Sequence, residues 1–192
     1  MPDSGRVIAG VARGVRLKAP GEGTRPLADR VKQSLFASLE ADGAVGPGTR
    51  FLDLYAGSGA GGIEALSRGS EAAVFVERDG GACRVIGENL NVAGLESGTT
   101  VRAGVLSVLE RDPAGAGGPF DAVLVDPPYA EPLIAPTLER LARPDAGWLS
   151  PSAIVIAKHF WRDIPPQSAG GLRQLRQKRF GETALTFYRY EP

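Results

Sequence analysis

Phe51-Leu52-Asp53-Leu54-Tyr55-Ala56-Gly57-Ser58-Gly59 is the stretch that decides the fold. Its apolar start reads as a buried strand, Asp53 as an acid near the strand's end, and the glycines as a loop opening a helix at Ala60. Gly57 and Gly59 permit tight backbone geometry and close approach of a ligand. Roughly 24 residues after Asp53, a second apolar run (Ala72-Ala73-Val74-Phe75-Val76) ends in Glu77. An acid at that offset in a βαβ unit is placed to hold ribose hydroxyls. The loop is a poor dinucleotide fingerprint, because a pyrophosphate would meet the Asp53 charge. A carboxylate there suits a cationic ligand, such as the amino-acid end of S-adenosylmethionine.

Further along, Phe120-Asp121-Ala122-Val123-Leu124-Val125 runs into Asp126-Pro127-Pro128-Tyr129. Two prolines cannot continue a central strand, since neither offers an N–H and each fixes φ. The chain must break at the strand's carboxyl end, where open α/β sheets place their ligands. A carboxylate, carbonyls without local N–H partners and an aromatic face are presented together. That set suits a planar base with an exocyclic amine: Asp126 and a proline carbonyl accept from the amine, and Tyr129 stacks on the ring. Glycine loop, Glu77 and Asp126-Pro127-Pro128-Tyr129, in this order, point to an amino-methyltransferase.

Between these motifs strands and helices alternate. Strands are expected near 50–54, 72–77, 99–103, 120–125 and 152–157, and helices near 60–68, 80–93, 105–111 and 131–143. That alternation predicts a mostly parallel sheet covered on both faces. Residues 172–180 and 183–190 flank Gly181-Glu182 and predict a terminal hairpin that adds an antiparallel strand. Before the sheet, Arg6 to Leu17 reads as a short hairpin turning at Arg13-Gly14. A helix from Pro26 to Glu40 carries Leu27, Val31, Leu35 and Leu39 at four-residue steps. The Gly43–Gly48 linker divides an N-terminal extension, 1–43, from a catalytic domain, 44–192.

The 192 residues suffice for one substantial core, and 43% hydrophobic with 23% charged residues is ordinary for a globular chain. No apolar run approaches the ~18 residues of a membrane helix. The N-terminus lacks a signal peptide's apolar segment, so a cytoplasmic location is expected. One cysteine, Cys83, and one histidine, His159, disfavour a disulfide or zinc site. His159 reads as surface packing. The net charge is zero but unevenly spread: residues 1–36 and 157–192 each carry +4, and the middle −8. Two basic ends suit nucleic-acid phosphates. Nothing demands a dimer, and a monomer is expected.

These motifs resemble the RsmD family of bacterial 16S ribosomal RNA guanine-N2 methyltransferases. The likeness includes Arg6-Val7-Ile8-Ala9-Gly10, the Arg13-Gly14 turn and Thr24-Arg25-Pro26 with Asp29-Arg30-Val31. It continues through Asp53–Gly59, Gly62–Gly69, Val76-Glu77 and Asn89-Leu90 to Asp126-Pro127-Pro128-Tyr129. The resemblance implies a Rossmann-like, S-adenosylmethionine-dependent α/β fold. Its sheet would be mostly parallel and seven-stranded, with the antiparallel terminal hairpin and the small N-terminal hairpin and helix. The substrate implied is 16S rRNA, in the small ribosomal subunit or its assembly intermediate.

Asp126, Pro127, Pro128 and Tyr129 are then the candidate catalytic residues. Asp53, Tyr55, Ala56, Gly57, Gly59, Glu77 and Gly104 are the candidates for the cofactor, and Arg6, Arg13, Arg16, Lys18 and Arg25 for the RNA. The sulfonium makes methyl transfer chemically easy, so no metal is expected. The sequence departs from the family where an Asp or Asn often follows the third strand: Ala103-Gly104-Val105 stands there, leaving the cofactor's adenine to a backbone amide or to no such contact. Leu27-Ala28 also replaces the commoner threonines. The catalytic motifs alone also occur in DNA adenine-N6 and protein glutamine methyltransferases, which are the rival enzymes. A non-catalytic RNA-binding assembly factor and a nicotinamide dehydrogenase are the more distant alternatives.

Overall fold

The computed structural model describes residues 3–21, 27–129 and 131–192. Five strands follow the expected alternation: β3 (Arg50–Leu54), β4 (Ala72–Glu77), β5 (Gly98–Arg102), β6 (Phe120–Val125) and β7 (Leu149–Phe160). They pair in parallel in the order β5-β4-β3-β6-β7. The terminal hairpin, β9 (Leu172–Phe180) and β10 (Thr183–Tyr190), turns at Gly181-Glu182 as expected, and β10 lies antiparallel between β7 and β9. A two-residue edge strand, β8 (Ser168–Ala169), adds an eighth member to the seven expected. Seven strands in this order, with one long antiparallel member near the edge, form the sheet of class I methyltransferases.

The strand period sorts the interior into two layers. Phe51, Phe75, Leu124 and Ile156 face a core shared with α1 (Asp29–Ala41), α2 (Ala60–Ser67) and α3 (Gly80–Ala93). Leu52, Leu54, Val74, Val123, Val125 and Val155 face the other core, against α4 (Val105–Val108) and α5 (Ile134–Leu141). Both late helices are shorter than the sequence suggested. Pro136 is confined to the first turn of α5, where its missing N–H costs nothing, and Pro113 pushes Asp112 out of helical geometry after α4.

The N-terminal hairpin pairs further out than expected. Its strands are β1 (Asp3–Arg6) and β2 (Arg16–Lys18), in register Arg6 to Arg16. The loop between them is docked on α2 rather than free: the Ile8 and Ala9 amides donate to the buried Glu64 carboxylate at 2.8 and 3.1 Å, and the Val11 amide to the Ser67 carbonyl at 2.9 Å. Val7, Leu17, Leu35 and Phe36 belong to the same core as Phe51 and Ile63, so the 1–43 segment packs directly on the sheet layer. Pro26, the expected helix start, and Arg25 lie outside the described residues.

Candidate active site

The chain leaves β3 for β4 and β5 on one side of the sheet and reaches β6 and β7 on the other. The carboxyl ends of β3 and β6 are therefore neighbours at the point where strand order reverses, where such sheets bind ligands. A cavity of about 840 Å³ opens there. Asp53, Tyr55, Ala56, Gly57, Glu77, Gly104 and the whole Asp126-Pro127-Pro128-Tyr129 segment line it. Two-residue periodicity explains the convergence. Asp53, Glu77, Asp126 and Lys158 each lie two residues after an inward residue of the α1–α3 core, so all four fall on one face.

Asp53 is buried against the start of α2. Gly61 and Gly62 let that helix approach: a Cβ on Gly61 would come within 2.8 Å of the Asp53 carboxylate, and one on Gly62 within 2.4 Å of the Phe75 ring. The Gly62 amide donates to Asp53 at 2.8 Å. Among the described residues no cation reaches this carboxylate. Burial pushes it up to about 8, against the Gly62 bond that lowers it, with the Asp126 and Glu77 charges adding to the rise. Glu77 is held in place by amides, Gly57 donating to one oxygen at 3.0 Å and Asp79 to the other at 2.9 Å. Tyr55 takes a left-handed backbone (φ 63°) rare for a bulky residue, and its hydroxyl meets that of Thr137 at 2.7 Å. Such a conformation persists only where its surroundings hold it.

Gly59 is the exception among the cofactor candidates. It does not line the cavity. Its left-handed φ of 79° begins α2, and a Cβ there would press on Ile86 and Phe75 at 3.3 Å. Beyond β5 the wall is Ala103, Gly104, Val105, Leu106 and Ser107, and the Ala103 amide is already bonded to the Glu77 and Val101 carbonyls.

Asp126 differs from Asp53 in having a partner. The buried Lys158 ammonium bonds both of its oxygens, at 2.6 and 2.8 Å, and lies 5.1 Å from the Tyr129 ring centroid. Burial raises the Asp126 carboxyl, and Lys158 opposes that rise. Desolvation works to lower Lys158, but the Asp126 charge and hydrogen bond, together with Tyr129, outweigh it and leave the ammonium raised. Lys158 is the functional residue that motif reading passed over. Its signal was present: Ile154-Val155-Ile156-Ala157 is an apolar strand run that ends in a charge, as the runs before Glu77 and Asp126 do. Tyr129 is partly exposed at the mouth, its hydroxyl 3.4 Å from that of Thr183.

Arg6, Arg13, Arg16 and Lys18, the RNA candidates among the described residues, do not line this cavity. Arg6 pairs with Asp29 at 3.1 Å and Lys18 with Glu88 at 2.6 Å. Arg6 and Arg13 line a separate cavity of about 240 Å³ with Gln33, and Arg16 sits in β2. His159, expected at the surface, is buried in β7. Its ring nitrogens meet the Phe160 carbonyl and the Thr186 hydroxyl at 2.8 Å, and burial lowers its pKa.

A family model described as conserved hypothetical protein 95 matches residues 5–189. The ribosomal RNA small subunit methyltransferase D of Escherichia coli is 33% identical over 97% of this chain and 90% of its own length. The chain belongs to the ribosomal RNA small subunit methyltransferase D family. The member from Haemophilus influenzae is 30% identical over 95% of this chain and 92% of its own. Among solved structures, a hypothetical protein of Thermus thermophilus superposes with a TM-score of 0.80 at 32% identity, covering 95% of this chain and 97% of that one. The rRNA methyltransferase AviRa of Streptomyces viridochromogenes, at 19% identity and a TM-score of 0.70, shares the fold over 98% of this chain and 93% of its own. No helix among the described residues is long and apolar enough to cross a membrane.

Proposed function

We propose that this chain is an S-adenosylmethionine-dependent methyltransferase of ribosomal RNA, and that its acceptor is the exocyclic N2 of a guanine in 16S rRNA, within the small ribosomal subunit or its assembly intermediate. The observation that carries this reading is that Asp126-Pro127-Pro128-Tyr129 opens onto the same cavity as Asp53 and Glu77. Family membership supplies the RNA.

The residues present fit the cofactor. A buried carboxylate without a cation, driven up to about 8, is suited to an ammonium, and Asp53 would hold that of the methionine end. Glu77, aimed by two amides, would hold the ribose, with Tyr55, Ala56 and Gly57 along the intervening wall. Gly104 and its neighbours would flank the adenine. Gly59 would act indirectly, by shaping the loop. Bound there, S-adenosylmethionine supplies an electrophilic methyl group on a sulfonium.

The rest falls to the protein. An exocyclic amine on a purine is a poor nucleophile because its lone pair is delocalised into the ring. Asp126 and the Pro127 carbonyl accept its two N–H bonds, orient the lone pair and favour a more tetrahedral nitrogen. The amine gains positive charge as the new bond forms, so the Asp126 carboxylate interacts more strongly then than with the ground state. Lys158 fixes the carboxylate and opposes the rise that burial gives its pKa. Tyr129, at the mouth, stacks on a base splayed from its helix or loop, worth ~1–3 kcal/mol. Pro128 stiffens the turn between them.

The test is methyl transfer from labelled S-adenosylmethionine to unmodified small subunits and to naked 16S rRNA, with the labelled nucleoside identified. N2-methylguanosine at one site is the expected product. Label on DNA or protein only would replace this reading with one of the rival amino-methyltransferases.

A further inference from the structure

The carboxyl end of β7 makes a second feature beside the cavity mouth. Trp161 follows the last residue of β7 and is pinned to the β9–β10 turn by its amide, which donates to the Glu182 carbonyl at 2.9 Å. Two arginines lie on its ring. The Arg179 guanidinium carbon is 3.6 Å from the ring centroid and that of Arg162 is 4.9 Å away. Arg179 spends its Nε–H on the Gly181 carbonyl at 2.8 Å, which helps fix the guanidinium plane. Asp163 and Glu182 are close in sequence, yet among the described residues neither guanidinium is paired with a carboxylate. Both arginines are exposed.

This contrasts with the N-terminal hairpin, where Arg6 and Lys18 are already neutralised by Asp29 and Glu88. It contrasts also with the other face of β9, where Arg176 pairs with Asp42 and Lys178 bonds the Ser38 hydroxyl. The stacked pair is also joined to the catalytic mouth. Phe160, next to Trp161, is cross-strand partner to Thr183, and the Thr183 hydroxyl meets that of Tyr129 at 3.4 Å. Arg162 and Arg179, with no acid partner among the described residues, thus lie close to the Phe160–Thr183 pair that leads to Tyr129, the residue assigned to stack on the target base.

We infer that Arg162 and Arg179, held on Trp161, form a docking surface for the phosphates of the RNA strand that delivers the target base to Tyr129. This rests on the ribosomal RNA reading above. Phosphate is the fitting occupant because a guanidinium offers a planar fork of donors matched to it, and stacking pre-orders the side chain so that less freedom is lost on binding. A carboxylate on a protein surface would fit the same forks, and RNA phosphate is favoured over it because the chain belongs to a ribosomal RNA methyltransferase family.

The experiment compares the parent enzyme with Arg162→Gln, Arg179→Gln, the double Arg162→Glu/Arg179→Glu variant and an Arg111→Glu control on the far side of the sheet order. Binding to a 16S rRNA fragment is measured by filter retention across a salt series, alongside KM and kcat on small subunits and cofactor affinity by calorimetry. The expected result is about tenfold weaker RNA binding for the double variant, with a salt slope shallower by about 1–2, one unit or so per lost phosphate contact. KM should rise with kcat and cofactor affinity unchanged, and the glutamine variants should fall between. Unchanged binding and salt slope in all variants would overturn the inference, as would weakened binding to particles with none to the RNA fragment, which would mean a protein partner. If the parent enzyme fails to methylate rRNA, the functional reading falls, and the filter assay still decides whether this surface binds phosphate.

Discussion

Asp53, buried, and Asp126, half-buried, are two carboxylates at the ends of adjacent parallel strands, on the same face of the sheet and in the same cavity. Asp126 has its cation built in, with Lys158 at 2.6 Å. Asp53 has, among the described residues, backbone amides and no cation, and rises to about 8. On the proposed function, the difference separates two tasks. A carboxylate that must be ionised before the acceptor arrives carries a resident partner, whereas one whose partner is itself a cationic ligand is left without one.

Removing Asp126 should have the largest effect. Asp126→Ala deletes an acceptor whose contribution grows as charge develops, and losses at such positions are about 10²–10³-fold in kcat. Cofactor affinity measured by calorimetry should stay within a few-fold. Near-parental turnover with the cofactor bound would remove Asp126 from its assigned role.

Breaking the pair from the other side should cost less and show a different signature. In Lys158→Met the carboxylate keeps its place but loses the opposite charge that counters the rise burial gives its pKa. Asp126 then takes up a proton at higher pH, so the acid limb of the kcat–pH profile should move upward. At pH 7 kcat should fall about tenfold or more and recover in part as pH rises. Lys158→Arg should preserve the limb. A uniform loss at every pH would mean that Lys158 only supports packing.

Which parts of this comparison were legible in the sequence follows from where each signal lies. Asp53, Glu77 and Asp126 could be read because each ends or nearly ends an apolar strand run, so burial, sheet face and strand end are local facts. The hairpin at Gly181-Glu182 and the turn forced by Pro127-Pro128 were equally local. The pairing of Lys158 with Asp126 was not, since it depends on β6 and β7 being neighbours 32 residues apart. Arg6 and Lys18 looked available as phosphate ligands for the same reason. Their acids, Asp29 and Glu88, are 23 and 70 residues away and are brought close only by docking of the hairpin. Gly59 read as a ligand contact because a glycine needed for close approach of a ligand and one needed for a left-handed helix start are the same letter.

The smallest effect separates the two aspartates most cleanly. A carboxyl whose pKa is raised from 3.8 to about 8 on folding binds its proton more tightly in the folded state. The empty protein should therefore lose stability as pH rises between those values, and Asp53→Asn should remove that loss. The asparagine variant should melt higher than the parent at pH 8, with the gap closing toward pH 4, although it binds the cofactor more weakly. Binding carries the same linkage. Below about 8, Asp53 must release its proton to face the methionine ammonium, so cofactor affinity should tighten toward pH 8, and binding at pH 7 should release up to one proton. Calorimetry in buffers of different ionisation enthalpy measures that proton directly. It should vanish in Asp53→Asn and persist in Lys158→Met. A proton that survives loss of Asp53 would come from another group in the cavity, and the contrast between a paired and a waiting carboxylate would not hold.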